Sequence, residues 1–202
     1  MATPHRTRLE RSPTERTDPR VARTEQALTQ AMVKLAAERP VSQITVADLA
    51  ERAGVTRATF YNRYNSPLEL LIQALHADLE TGHREEDARR AEGQHSPAAL
   101  LRLATTEVGD HVERFHDIYR QALHDPADHG VYEALAHHFA DYSMAFIARC
   151  THPGLPVANH QIIGQFVANG FVGAIKAWLG DDSVTKADLV EAAVACAPIW
   201  WG

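Results

Sequence analysis

Between Thr45 and Tyr64 the chain reads TVADLAERAGVTRATFYNRY, and its polar side chains fall at spacings suited to holding a nucleic acid. Val46, Leu49, Ala50 and Ala53 lie at i, i+3, i+4 and i+7, so a first short helix has one buried face. Thr45 precedes it as an N-cap with Asp48 three residues on. Gly54 ends it where the backbone needs a positive φ, and Val55 plugs the turn. Thr56 then caps a second helix, RATFYNRY. Two short helices joined in this way have the shape that puts a helix into the major groove of DNA, although an ordinary αα-corner shares the spacing. On the second helix Arg57, Ala58, Thr59 and Asn62 are the candidates for base edges. Arg57 can pair bidentately with a guanine and Asn62 with an adenine, while Ala58 or the Thr59 methyl can touch a thymine methyl. Thr45, Thr56, Tyr61 and Arg63 are better placed to hold phosphates, helped by helix N-termini. Phe60 and Tyr64 are four apart and are predicted to pack this helix against those before it.

Other chemistry finds less support. Of twelve histidines, eleven lie beyond residue 65. His111, His116, His124, His137 and His138 raise the question of a metal, but no two of them stand at i, i+4 on one helix with a nearby Cys or carboxylate in a tight pattern. No metal ligand and no cofactor is therefore expected. Asp110, Glu113 and Asp117 share a helix face, as a solvated face would. A glycine-rich phosphate loop, a nucleophile elbow and a His-Glu-x-x-His motif are all missing, so no enzyme is expected. Cys150 and Cys196 form neither a metal pair nor a disulfide framework.

The elements that would position these residues are all helical. At 202 residues, 45 % apolar and 23 % charged, the chain can bury a substantial core. Its net charge of −6 is uneven: residues 1–65 carry 11 Lys+Arg against 7 Asp+Glu, and the remainder carries 9 against 19. A basic head on an acidic body suits a protein in which only the head meets a polyanion. No run approaches the roughly 18 apolar residues of a membrane span, so no membrane is expected and the cytoplasm is the expected compartment.

Residues 1–17 are expected to form a disordered basic arm, with Arg6, Arg8, Arg11 and Arg16 able to follow a groove of DNA. Asp18-Pro19 opens a helix running to about Glu38, where Arg39-Pro40 stops it. Ser66, Pro67 and Glu69 form a capping box at the start of a leucine-rich helix predicted to reach about Thr81, with 82–96 as its frayed end or a surface loop. Helices are further expected over 97–124, bent near Gly109, and over 128–150, 158–179 and 185–197. The reading is all-α with about nine helices: a helix-turn-helix DNA-binding domain over 18–65 and a helical body over 66–202.

The stretch ITVADLAERAGVTRATFYNRYNSPLELL, residues 44–71, resembles the TetR family of transcriptional regulators. Thr45, Ala50, Ala53-Gly54-Val55, Thr56, Thr59-Phe60-Tyr61 and Ser66 stand where the family pattern has like residues. The chain departs from that pattern at Pro67, where the family usually has a phosphate-neutralising Lys, and at Arg63-Tyr64 in place of a His/Phe pair. Arg63 is expected to supply the missing charge.

The resemblance implies a double-stranded DNA operator, a homodimer formed through the last two helices, and a body that binds a small-molecule effector. Phe115, Tyr119, Tyr132, Phe139, Tyr142, Met144 and Phe146 are the pocket candidates. Phe166, Phe171, Ile175, Trp178, Leu189, Val190 and Val194 are expected at the dimer interface, because FVANGFVGAIKAWLG and DLVEAAVACAPIWW are apolar on most sides. FVANGFVGAIKAWL also resembles a TetR subgroup near regulators of dihydroxyacetone metabolism. The expected function is a ligand-responsive repressor on a palindromic operator. The alternative is a ligand-binding co-regulator that has lost DNA binding and works through a partner protein.

Overall fold

The computed structural model describes residues 19–92 and 96–201. Among these it contains nine α-helices, three short 3-10 turns and no strand. The proposed basic arm at 1–17 and the Asp18 cap lie outside the described residues.

Helix α1 spans Pro19–Glu38, α2 Val46–Ala53 and α3 Arg57–Tyr61, and they form a three-helix head. Leu28, Met32 and Leu35 of α1 meet Leu49 of α2 and Phe60 of α3 in one buried cluster. The local signals do what their chemistry requires. Thr45 accepts from the Asp48 backbone N–H, and the Asp48 carboxylate accepts from that of Thr45. Gly54 sits at φ 67°, and Thr56 accepts from the Thr59 N–H. Helix α3 is shorter than expected: regular helix stops at Tyr61, leaving Asn62 as its C-cap and Arg63 in the following turn. Tyr64, just beyond the turn, is buried and packs on Phe60.

Helix α4 spans Pro67–Glu92, well past Thr81, so the charged stretch from residue 82 continues the helix rather than leaving it. Charged residues are good helix formers, and packing against α5 and α7 supports the extra turns. At its start Ser66 accepts from the Glu69 N–H, but Glu69 reaches past Ser66 to the Asn65 N–H, so the expected box closes one residue early. Helices α5 (Pro97–Arg114) and α6 (His116–His124) divide at Phe115, not at Gly109. Gly109 serves close packing instead, since a Cβ there would meet the Lys186 stem at 2.7 Å. Helices α7 (Gly130–Arg149), α8 (His160–Gly180) and α9 (Lys186–Cys196) follow.

Helix α8 is long and apolar enough by length and composition to cross a membrane, a test that core helices also pass. Its most extensive packing is against α7.

One continuous core joins head and body, running from Leu28 through Leu71, Tyr119, Leu135 and Ile175 to Leu189. A smaller cluster gathers Ile147, Trp200 and Trp201 with Phe146 and Tyr142. The joint between head and body is also polar. Asp128 is 2 % exposed and accepts from the N–H groups of Val41 at 2.6 Å and Ser42 at 2.8 Å. Gln121 of α6 donates to the last carbonyls of α1, Ala36 and Ala37, at 3.2 and 3.0 Å.

Candidate functional site

The head presents one polar face. Thr45, Thr56, Arg57, Ala58, Tyr61 and Asn62 are exposed, whereas Phe60 and Tyr64 of the same segment are buried. Tyr61, at 60 % exposure, is an aromatic ring held on the surface by its place opposite the core-facing Phe60, against which it packs edge-on. Arg57 opens α3 and forms no ion pair among the described residues, so its guanidinium projects from the tip of the head. The hydroxyls of Thr56 and Thr59 lie 2.9 Å apart; with Thr56 also accepting from the Thr59 N–H, the pair retains donor and acceptor capacity for a phosphate or base edge. Thr45 donates its hydroxyl to Asp48 at 2.9 Å, and this capping work shapes the helix end before any partner arrives.

Arg63 departs from expectation. Its side chain is only 22 % exposed and lies 3.6 Å from Glu25 of α1, an acid that offsets the charge expected to replace the one lost at Pro67. Two further basic residues are similarly committed within the head, Arg39 to Asp48 and Arg52 to Glu38, both at 2.6 Å.

The body contains an open cavity of about 330 Å³ between α4 and α5, lined by Asp78, Leu79, Thr81, Gly82, His83, Ala104, Glu107, Val108, Asp110, His111 and Arg114. None of the seven aromatic and Met candidates lines it. Tyr119, Tyr132 and Phe139 are buried in the main core with Phe115 packed on it, Tyr142 and Phe146 join the second cluster, and Met144 packs on Gly164. Periodic aromatics mark a buried helix face, and most buried faces are plain core.

The cavity wall is instead polar and networked. Asp78 of α4 takes hydrogen bonds from Arg114 at 2.6 Å and from His111 Nδ1 at 2.7 Å. The carboxylate can only accept, so Nδ1 carries the proton, and Nε2 accepts from the Tyr119 hydroxyl at 2.8 Å. Tyr132 donates in turn to the Tyr119 carbonyl at 2.9 Å, completing a chain across α4, α5, α6 and α7. Burial pushes the His111 pKa down despite the opposing pull of Asp78, and burial raises that of Tyr119. Burial also raises that of Asp78, but the bonds from Arg114 and His111 outweigh it and hold the carboxyl below its ordinary range.

The expected dimer residues divide by face. Phe166 is 82 % exposed and Val194 is half-buried. Ile175, Leu189 and Val190 are already buried within the single chain, and Phe171 and Trp178 pack against its core. The surface that α8 leaves open runs through Ile162, Phe166, Gly170, Gly173 and Ala177, and that of α9 through Ala192 and Ala195. A helix apolar all round does not announce which face its own body takes.

Among known proteins, residues 28–74 match the family described as bacterial regulatory proteins, tetR family. The match covers most of the head and the start of α4, so this part of the chain is similar to that family's N-terminal module. No curated protein sequence matches it. Several solved structures share its fold over most of the chain. A putative TetR-family transcriptional regulator from Rhodococcus sp. is 15 % identical with a TM-score of 0.62, over 90 % of this chain and 100 % of that one. FadR of Thermus thermophilus, a TetR-family repressor in complex with lauroyl-CoA, is 20 % identical with a TM-score of 0.58, over 85 % and 91 %. DhaS, a dihydroxyacetone kinase operon activator, is 14 % identical with a TM-score of 0.55, over 85 % and 92 %. At such identities the likeness shows a shared fold across head and body and assigns no effector.

Proposed function

We propose that this chain is a ligand-responsive transcriptional repressor that binds a palindromic operator as a homodimer. The observation that carries the reading is the exposed tip of α3. There Arg57, Ala58, Tyr61 and Asn62 face outward on a helix locked by the Thr56 cap, the Gly54 turn and buried Phe60. Arg57, Ala58, Thr59 and Asn62 read base edges, and Thr45, Thr56 and Tyr61 hold phosphates. Arg63 joins them only by leaving Glu25.

Two copies pair through the open stripe of α8 and α9, where Phe166 and Ile162 supply apolar area and Gly170, Gly173 and Ala177 allow close approach. Pairing sets the two reading helices about 34–36 Å apart, one turn of DNA. The effector is a small polar molecule held in the α4–α5 cavity, whose acids, His83, His111 and Arg114 suit hydrogen bonding better than an acyl chain. Helix α4 begins three residues after Tyr64, so an effector with different affinity for two positions of α4 shifts the heads between two arrangements.

A gel shift on the DNA upstream of the chain's own gene, run from about 50 to 200 mM salt, tests this reading. A specific complex that weakens steeply with salt supports it. No specific complex at low salt favours the co-regulator that acts through a partner protein, the reading that the Arg63–Glu25 pairing and Pro67 would suit.

A further inference from the structure

The longer helix α4 places together residues that the sequence keeps apart. His76, Glu80 and His83 follow one another at spacings of four and three, so they share one face of α4. That face packs against α7 where His138 is buried at 4 % exposure. The rings of His83 and His138 stack at 4.7 Å, and that of His76 lies 4.8 Å from His138. Ligating atoms of Glu80, His83 and His138 all lie within 4.8 Å of one another.

Ordinary packing does not account for His138. Its Nε2 is buried without a hydrogen-bond partner, and its Nδ1 lies 3.8 Å from Glu80 Oε1, beyond hydrogen-bond length. Leaving such a group unsatisfied costs about 1–3 kcal/mol, and native structures rarely do so without a reason. Two imidazoles beside one carboxylate also make a good set of nitrogen and oxygen ligands.

We propose that Glu80, His83 and His138 bind a transition-metal ion of the zinc class, which clamps α4 to α7. Two imidazoles and a carboxylate form a ligand set typical of zinc sites that keep a fourth position open, and imidazole selects zinc, cobalt or nickel over magnesium and calcium. Tetrahedral coordination at about 2.0–2.2 Å needs donors about 3.4 Å apart, so the cluster must tighten. The exposed Glu80 side chain is free to make that movement. His83 also forms part of the cavity wall. Because α4 leads directly from the head into the body, the ion would fix the element on which the head is mounted. The site stands on its own geometry and does not depend on DNA binding.

The test uses the full chain without an affinity tag, stripped with a chelator and titrated with Co²⁺, followed by displacement with Zn²⁺. The expected result is one Co²⁺ per chain with the visible absorption of a tetrahedral site, quenched by one equivalent of Zn²⁺. His83→Gln and Glu80→Gln should each weaken uptake by at least about tenfold, and His138→Gln should abolish it. His116→Gln on α6 should leave it unchanged. His83 and Glu80 are not buried, so these two variants decide the matter if His138→Gln does not fold. The proposal is overturned if wild-type protein takes up no stoichiometric Co²⁺. It is equally overturned if His83→Gln and Glu80→Gln both bind within about threefold of wild type.

Discussion

Head and body satisfy their polar groups in opposite ways. In α1–α3 the decisive bonds are short in sequence: Thr45 with Asp48, Thr56 with Thr59, and the turn at Gly54. In α4–α9 they reach across the fold. His111 links Asp78 to Tyr119, Lys186 of α9 bridges Asp110 and Glu113 of α5 at 2.6 Å, and Asp128 reaches back to the Val41–Ser42 turn. The head therefore carries its own shape in its sequence, ready to be presented to a partner. The body holds its shape only as an assembly, which makes it the part whose arrangement a ligand or ion can bias.

That contrast can be broken most forcefully at the joint. Asp128→Ala strips the buried Val41 N–H and the part-buried Ser42 N–H of a charged acceptor, and is expected to cost about 2–5 kcal/mol. For a chain of this size that is a fall in Tm of about 5–15 °C by thermal melt, and a loss near zero would show that the head stands without the body's grip. Next, Arg57→Ala should weaken operator binding by ~1–3 kcal/mol and relax base preference at one position per half-site, with no change in Tm. Unchanged preference in a binding-site selection would remove Arg57 from the reading face.

A smaller effect is expected at Gly54, whose φ of 67° an L-residue adopts at a cost of about 1–2 kcal/mol. A Cβ there meets nothing within 4 Å, so Gly54→Ala should shift the denaturant midpoint by backbone strain alone and leave the body's cavity unaltered.

The smallest effect concerns pH. His111 faces Asp78, Arg114 and His76 as well as Tyr119, and its pKa is held below 6.5 chiefly by burial. Its neutral form is therefore favoured by folding; the stability it contributes is present above pH 6.5 and is lost as pH falls toward the depressed value. Asp78, also depressed, contributes above the ordinary carboxylate range and loses that contribution at lower pH. Denaturant midpoints from pH 7.5 to 5.0 should thus fall less steeply for His111→Gln than for wild type, and parallel slopes would refute the assignment.

The head's legibility and the body's opacity have the same origin. A capping box, a left-handed glycine and a four-residue aromatic spacing are local rules, and they hold at Thr45, Gly54 and Phe60. Even there one long-range contact intervened, the turn of Arg63 toward Glu25, which no local rule announces. In the body the aromatic periodicity of α7 was plain, but periodicity reports a buried face without saying whether it meets core or ligand. The cavity fell to Asp78, His83, His111 and Arg114, and the missed run His76–Glu80–His83 was readable only once α4 was known to continue past Thr81.

By itself the sequence determined the all-helical class, the capped head and the residues that α3 shows to solvent, because helix periodicity and capping depend on neighbours within a turn or two. Only the tertiary structure decided which face of α8 stays open, where the cavity lies, and that His138 meets Glu80 and His83. Those outcomes depend on how helices distant in sequence are laid against one another, and many side-chain patterns fit more than one such packing.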